Sequence, residues 1–225
     1  MDAFKRENIT VYNCDCMELM ETFSENEFDL AVVDPPYGIK ADKGFGGFDG
    51  FGGLGKPIKR REYNQEWDSS VPDKSYFDDL LMVSEQQIIW GSNFFTDMLP
   101  QWNHWIFWDK LNTMPTFSDG ELAATSFRKN SVKKITINNN GCMSKEKNRI
   151  HPTQKPIALY SWIYAKYAKP GQRILDTHLG SGSNAIAAHY AGLEFVGCEF
   201  DKEYFEKACE RIIKETRQID MFGRP

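Results

Sequence analysis

The sequence predicts an α/β fold with a mainly parallel sheet. Three observations point there. Short apolar runs alternate along the chain with segments of helical period. No repeat with a period of 20–50 residues is visible. The 225 residues, 41% hydrophobic, 26% charged and 14% aromatic, suit one globular domain with insertions.

The elements follow in order. Residues 17–23 read as a helix, and Phe28-Asp29-Leu30-Ala31-Val32-Val33 as a buried strand. Residues 76–84 have helical period, and Gln87-Ile88-Ile89-Trp90 is a strand. Residues 104–108, 123–127 and 132–137 are further strand candidates. Residues 156–167 are predicted helical, and 173–176 a strand. A helix over 184–191, a strand over 194–198 and a helix over 201–214 complete the series, the last with Asp201 as its N-cap.

Composition excludes several classes. No apolar run approaches 18 residues, so no membrane partner is expected. The start, Met1-Asp2-Ala3-Phe4-Lys5-Arg6, lacks the apolar core of a signal peptide. Cys14, Cys16, Cys142, Cys198 and Cys209 form no paired CxxC and read as reduced thiols, giving a cytoplasmic expectation. Cys14-x-Cys16 has poor spacing for a metal, and none is expected.

The net charge of −5 argues against a non-specific nucleic-acid binder. Its distribution points the other way. Lys56, Lys59, Arg60 and Arg61 cluster without an acid. Arg128, Lys129, Lys133, Lys134, Lys145, Lys147, Arg149 and Lys155 face a single acid, Glu146. Either run alone reads equally as a solvated face. Two of them in an otherwise acidic chain indicate one anion-facing side. Residues 44–55 hold seven glycines among Phe45, Phe48 and Phe51, too much glycine for a helix or strand. The loop over 40–56 is either a linker or a mobile lid that orders on a ligand. Residues 110–150, polar and basic, are expected to hold a recognition insertion in a single domain spanning 1–225.

Three segments carry chemistry. Asp34-Pro35-Pro36-Tyr37 follows the first buried strand, where open α/β sheets place ligands. The prolines stiffen the turn and leave carbonyls free to accept. The second segment runs Asp176-Thr177-His178-Leu179-Gly180-Ser181-Gly182-Ser183-Asn184, from strand through glycine turn to helix. Glu199 ends the following strand, spaced from the turn like the acid that holds a ribose diol in dinucleotide-type sites. The third is His151-Pro152-Thr153-Gln154-Lys155-Pro156 at a helix start, with His151 read as a turn residue rather than a base.

Together these segments resemble the S-adenosylmethionine-dependent DNA amino methyltransferases of the permuted beta type, in which the Asp-Pro-Pro-Tyr segment precedes the glycine loop. The resemblance spans roughly residues 8–40 and 150–213. Ile88-Ile89-Trp90-Gly91-Ser92-Asn93 and Trp108-Asp109-Lys110 look like small phage and prophage adenine methyltransferases. It implies a seven-stranded, Rossmann-like methyltransferase fold in permuted order. It implies that Asp34, Pro35, Pro36 and Tyr37 hold the target amino group. It places Asp176, His178, Leu179, Gly180, Ser181, Gly182 and Ser183 along the cofactor, Glu199 on its ribose and Phe200 beside its adenine. Asp15 and Cys16 fall near the adenine, and Thr153, Gln154 and Lys155 close over the methionine end. The chain departs from the family with Asp176-Thr177-His178 where Asp-Pro-Phe is usual, and in lacking a Pro-Gly-Gly turn.

The implied reaction is methylation of adenine N6 in double-stranded DNA, with cytosine N4 as the alternative and a catalytically silent DNA- or clamp-binding protein as a different class. A protein or RNA amide methyltransferase would place the glycine loop first. The basic residues would meet phosphates. The short recognition surface points to a short site or to a homodimer that shares the reading. At the C-terminus, Gln218-Ile219-Asp220-Met221-Phe222 resembles the pentapeptide that binds the bacterial sliding clamp. A frayed tail, or one packed on its own domain, is the other reading.

Overall fold

Phe28–Val33 forms β3, buried except for Asp29, in the middle of the sheet. A parallel strand covered on both faces has no wet side, so its sequence is nearly all apolar. The computed structural model describes residues 2–39, 68, 70–112, 118–138 and 149–217. Along the chain β1 (Asp2–Arg6) and β2 (Ile9–Asn13) precede α1 (Cys16–Met20) and β3. Then come α2 (Lys74–Val83), β4 (Ser84–Trp90), a 3₁₀ turn (Ser92–Phe94), β5 (His104–Asp109), β6 (Gly120–Thr125) and β7 (Ser131–Thr136). The chain ends with α3 (Ile157–Tyr167), β8 (Arg173–Asp176), α4 (Ser183–Tyr190), β9 (Glu194–Glu199) and α5 (Lys202–Glu215).

The strands form one sheet in the order β1-β2-β9-β8-β3-β4-β6-β5-β7. Neighbours from β2 to β4 are parallel, and β7 is parallel to β5. The β1 edge and β6 run antiparallel to their partners. Residues of β3 alternate between two cores. Leu30 and Val32 meet the cluster that includes Leu159, Ile163, Ile186 and Ile212. Ala31 and Val33 meet Met20, Phe77, Leu80 and Phe95. This is the two-residue period of a strand with helices on both faces.

The sheet has nine strands among the described residues, not the seven expected. The additions are β1 and β2, a hairpin in which Arg6 pairs with Ile9. Its turn is Glu7-Asn8, with Glu7 at φ 50°, and lacks the glycine that usually marks such a turn. Asn8 anchors it instead, its amide bonding the Leu193 carbonyl and its oxygen lying 2.8 Å from His189 Nδ1. Residues 110–150, expected as an insertion, contribute β6 and β7 to the sheet. Ser84, expected to end a helix, begins β4.

The chain passes from β3 through α2 to β4 on one side, and from β8 through α4 to β9 on the other. The order therefore reverses between β3 and β8, which lie side by side. Such a switch point leaves a crevice beyond the carboxyl ends of the strands. Asp34 follows β3 there and Asp176 ends β8.

Candidate active site

The Asp34 turn is held by β4. Tyr37 donates its phenol to Asp34 Oδ1 at 2.5 Å and stacks on Phe94, with centroids 5.1 Å apart. Gly91, just past β4, has φ +69°, and a Cβ there would stand 2.1 Å from the Tyr37 ring. Only glycine gives that ring its seat.

The glycine turn is held by β9. Gly180 has φ +52° and donates its N–H to Glu199 Oε2 at 2.8 Å. The Asp201 N–H reaches Glu199 Oε1 at 3.1 Å. Burial pushes Glu199 up to about 7 despite these two bonds. Asp176 accepts from the His178 N–H at 3.1 Å and from Asn184 Nδ2 at 2.9 Å, and burial raises it to about 7 as well. Asn184 also donates to the Val32 carbonyl at 2.9 Å, tying the ends of β3 and β8 together. Burial holds His178 down at about 4, so it is neutral at pH 7.

The segment before α3 brings a cation to Asp34. The Lys155 side chain, 3% exposed, pairs with Asp34 Oδ2, lies 3.0 Å from Glu121 Oε2 and donates to the Tyr37 hydroxyl at 3.2 Å. Lys110 pairs with Glu121 Oε1. Burial pushes the Asp34 carboxyl up; Lys155 opposes that and Glu121 adds to it. Burial acts on Glu121 in the same sense, yet Lys155 and Lys110 together hold it at about 2. Burial also works against the Lys155 ammonium, but the two carboxylates outweigh it and raise its pKa. His151, pushed down to about 3 by burial and then by the Lys155 and Arg149 charges, lies edge-on to Tyr204 at 4.5 Å.

These segments enclose a cavity of about 400 Å³. Of the residues expected at the site, Asp15, Cys16, Asp34, Pro36, Thr153, Gln154 and Lys155 line it. His178, Leu179, Gly180, Ser181, Ser183, Glu199 and Phe200 also do. Pro35, Tyr37, Asp176 and Gly182 are not on its surface. Tyr37 fixes Asp34, Asp176 lies beneath the turn, and Gly182 (φ +73°) leads into α4 with space for a Cβ limited by Ile212 at 3.2 Å. The walls carry carboxylates, hydroxyls and one 75% exposed ring, Phe200. That combination suits a ligand with hydroxyls, a flat heterocycle and positive charge.

Sequence reading missed Cys14, Thr177, Tyr160 and Tyr204 on the cavity wall, whereas His151, read as a turn residue, does open a turn closed by the Gln154 N–H on its carbonyl at 3.3 Å and also lines the cavity. Sequence reading also missed Glu121 and gave Lys110 no role beyond its place in Trp108-Asp109-Lys110, because an isolated charge gives no signal before the strands are assembled.

The basic residues divide by position. Arg149 donates to the Pro152 carbonyl at 2.8 Å, beside the site. Lys133 and Lys134 are exposed on the edge strand β7, and Lys134 pairs with Asp109 at 2.7 Å. Arg128 and Lys129 occupy the turn between β6 and β7. Because β6 runs against β4, that turn lies at the end of the sheet opposite the cavity, about 20 Å away at strand rise. The structure does not bring these two to the site. Lys56, Lys59, Arg60, Arg61, Lys145, Lys147, the loop over 40–56 and Gln218, Ile219, Asp220, Met221 and Phe222 lie wholly or mainly outside the described residues. No helix among the described residues is long and apolar enough to cross a membrane.

A family profile described as DNA methylase matches residues 59–210. The Type II methyltransferase M2.MboI of Moraxella bovis is 25% identical, over 93% of this chain and 89% of its own length. M2.LlaDCHI of Lactococcus lactis subsp. cremoris is also 25% identical, over 94% and 91%. Among solved structures, the M1.HpyAVI–SAM complex superposes with a TM-score of 0.57 at 21% identity, covering 91% of this chain and 98% of that one. The PvuII DNA methyltransferase, cytosine-N4-specific, gives 0.60 at 13% identity, over 94% and 92%. The chain shares its fold with these proteins.

Proposed function

The chain belongs to the DNA methylase family, and from that premise we propose that it transfers a methyl group from S-adenosylmethionine to the N6 amino group of adenine at a specific site in DNA. The observation that carries this reading is the opening of Asp34 and of the Gly180–Glu199 contact onto one cavity.

The cavity fits the cofactor by the chemistry of its walls. Glu199 suits the ribose hydroxyls, Phe200 and Asp15 the adenine end, and Thr153 and Gln154 the methionine end. Its carboxylates suit a ligand of net positive charge. When bound, S-adenosylmethionine supplies an electrophilic methyl group on a sulfonium sulfur.

The chain's own residues prepare the acceptor. The lone pair of the adenine amino nitrogen is delocalised into the ring, which makes it a poor nucleophile. The Asp34 carboxylate and the Pro35 carbonyl accept from its N–H groups, favour a pyramidal nitrogen and stabilise the positive charge that develops there. Preorganised acceptors of this kind contribute several kcal/mol. Extruding the base costs roughly a few kcal/mol. Tyr37 offsets part of that by stacking, worth about 1–3 kcal/mol.

Asp rather than Ser before Pro-Pro-Tyr supports adenine, through the family resemblance. Cytosine N4 is the second reading, favoured by the likeness to the PvuII enzyme. Modification-sensitive sequencing of DNA from an expressing host tests both. N6-methyladenine in one sequence context is expected. N4-methylcytosine would overturn the choice of base, and unmodified DNA the activity. Asp34→Ala is expected to abolish transfer of tritiated methyl groups while still binding cofactor. A wild-type chain that fails a cofactor titration would instead be a silent DNA- or clamp-binding protein.

Two partners complete the reading. The tail residues Gln218 and Phe222 would anchor a sliding clamp, and Phe222→Ala is expected to lose the clamp in a pull-down. A shared recognition surface would make the enzyme a dimer on DNA, which sedimentation of the complex tests.

A further inference from the structure

Both oxygens of Asp34 are engaged, one by the Tyr37 hydroxyl and the other by the Lys155 ammonium. Under the methyltransferase reading above, on which this inference rests, the target amino group takes an acceptor position at Asp34 in competition with the ammonium bound there. Lys155 is 3% exposed, so it cannot retreat into water. A buried ammonium that loses its carboxylate is strongly disfavoured. The structure provides a second carboxylate within reach, Glu121 Oε2 at 3.0 Å. Glu121 is itself fixed from behind by Lys110 on its other oxygen. It comes from β6, outside the three segments that carry the chemistry.

We propose that Glu121 is a positioning residue for methyl transfer: it is the alternative seat of the Lys155 ammonium, letting that cation slide off Asp34 as the base's amino group arrives. Lys155 thereby keeps a counter-ion throughout. Asp34 is left ionised and open to the incoming N–H. Lys110 holds Glu121 at the distance that makes the exchange short.

Asp34 faces Tyr37 from its own turn, Lys155 and Tyr160 from the segment leading into and along α3, Glu121 with Lys110 behind it, and Asp176 from β8. Among these only Glu121 offers Lys155 a second carboxylate contact within 4.0 Å. Replacing it with glutamine keeps the shape and removes the charge. Two effects should then separate. The ammonium stays on Asp34, so the step slows. Asp34 also loses a negative neighbour, so it ionises more easily.

The test is single-turnover methylation of DNA from an unmodified host at saturating S-adenosylmethionine, across a range of pH. Glu121→Gln is expected to slow the step at least tenfold, with the acid limb of its profile moved to lower pH and cofactor affinity within about twofold of wild type. Glu121→Asp, which keeps the carboxylate, is expected to recover part of the rate. A general loss of structure would lower cofactor affinity and would not shift the limb downwards. A Glu121→Gln rate equal to wild type, or a slowed variant whose acid limb stays in place, would overturn the role of Glu121 and leave the activity standing. A wild-type protein that transfers no methyl group would overturn the underlying reading, and this inference with it.

Discussion

A methyl group added at Gly91 would stand 2.1 Å from the Tyr37 ring, on a backbone already at φ +69°. Gly91→Ala must therefore move Tyr37, and with it the phenol that holds Asp34. Overpacking of this kind costs about 1–3 kcal/mol. We expect a lower melting temperature and a methyl-transfer rate reduced at least tenfold, with cofactor affinity retained. Thermal denaturation, single-turnover assay and titration on the same protein would check all three. Asp176 and Glu199 make a second prediction, about pH. Both are raised to about 7 by burial, above the ordinary carboxylate range. The folded chain therefore holds these protons more tightly than the unfolded one. Their stabilising contribution is complete below about pH 4 and is lost as pH rises to about 7, on the order of 4 kcal/mol for Asp176. A cationic ligand reverses the preference by favouring the ionised acids. Affinity for S-adenosylmethionine is expected to increase between pH 6 and 8, measured by calorimetry, and Glu199→Gln to flatten that increase.

Most helices and strands owe their place to a local signal, and the β1–β2 hairpin to a distant contact. The seven strands read from the sequence all exist, and an inner one such as β3, buried on both faces, announces itself without its neighbours. Asp201 was legible as the cap of α5, and its carboxylate accepts from the Tyr204 N–H at 2.8 Å. The same residue's own N–H holds Glu199, so the cap and the site share one turn. Asp201→Ala is expected to cost about 1 kcal/mol of stability and to weaken cofactor binding several-fold, seen by denaturant melts and calorimetry. The β1–β2 hairpin was not legible. Its strands are short and its turn is Glu7-Asn8, so what holds it is the distant contact of Asn8 with Leu193 and His189.

Across the molecule, the family resemblance implied that Asp34 and Gly180 share one cavity, and they do so because β3 and β8 are neighbouring parallel strands that end on the same side. What sequence could not give was the convergence of Lys155 on the Glu121–Lys110 pair, which sits across the β5–β6 ladder and reaches Asp34 only through the order β3-β4-β6-β5. Nor could a run of positive charge say which end of the sheet it occupies, and Arg128 and Lys129 lie at the far one. DNA affinity should therefore respond unequally to charge removal. Arg149→Ala is expected to reduce the slope of log affinity against log salt by about 0.9, the value for one phosphate contact. Arg128→Ala should leave that slope unchanged. Fluorescence anisotropy over a salt series would separate them.

Asn184 spends its two amide hydrogens on opposite jaws of the cavity, one on the Val32 carbonyl and one on the Asp176 carboxylate. Its oxygen meanwhile accepts from Tyr164, so the amide is locked against flipping. One side chain that touches neither reactant thus acts as a gauge block for the gap between methyl donor and methyl acceptor. Leucine there, of similar bulk but mute to both acceptors, should let the jaws drift and spoil the alignment while the fold survives.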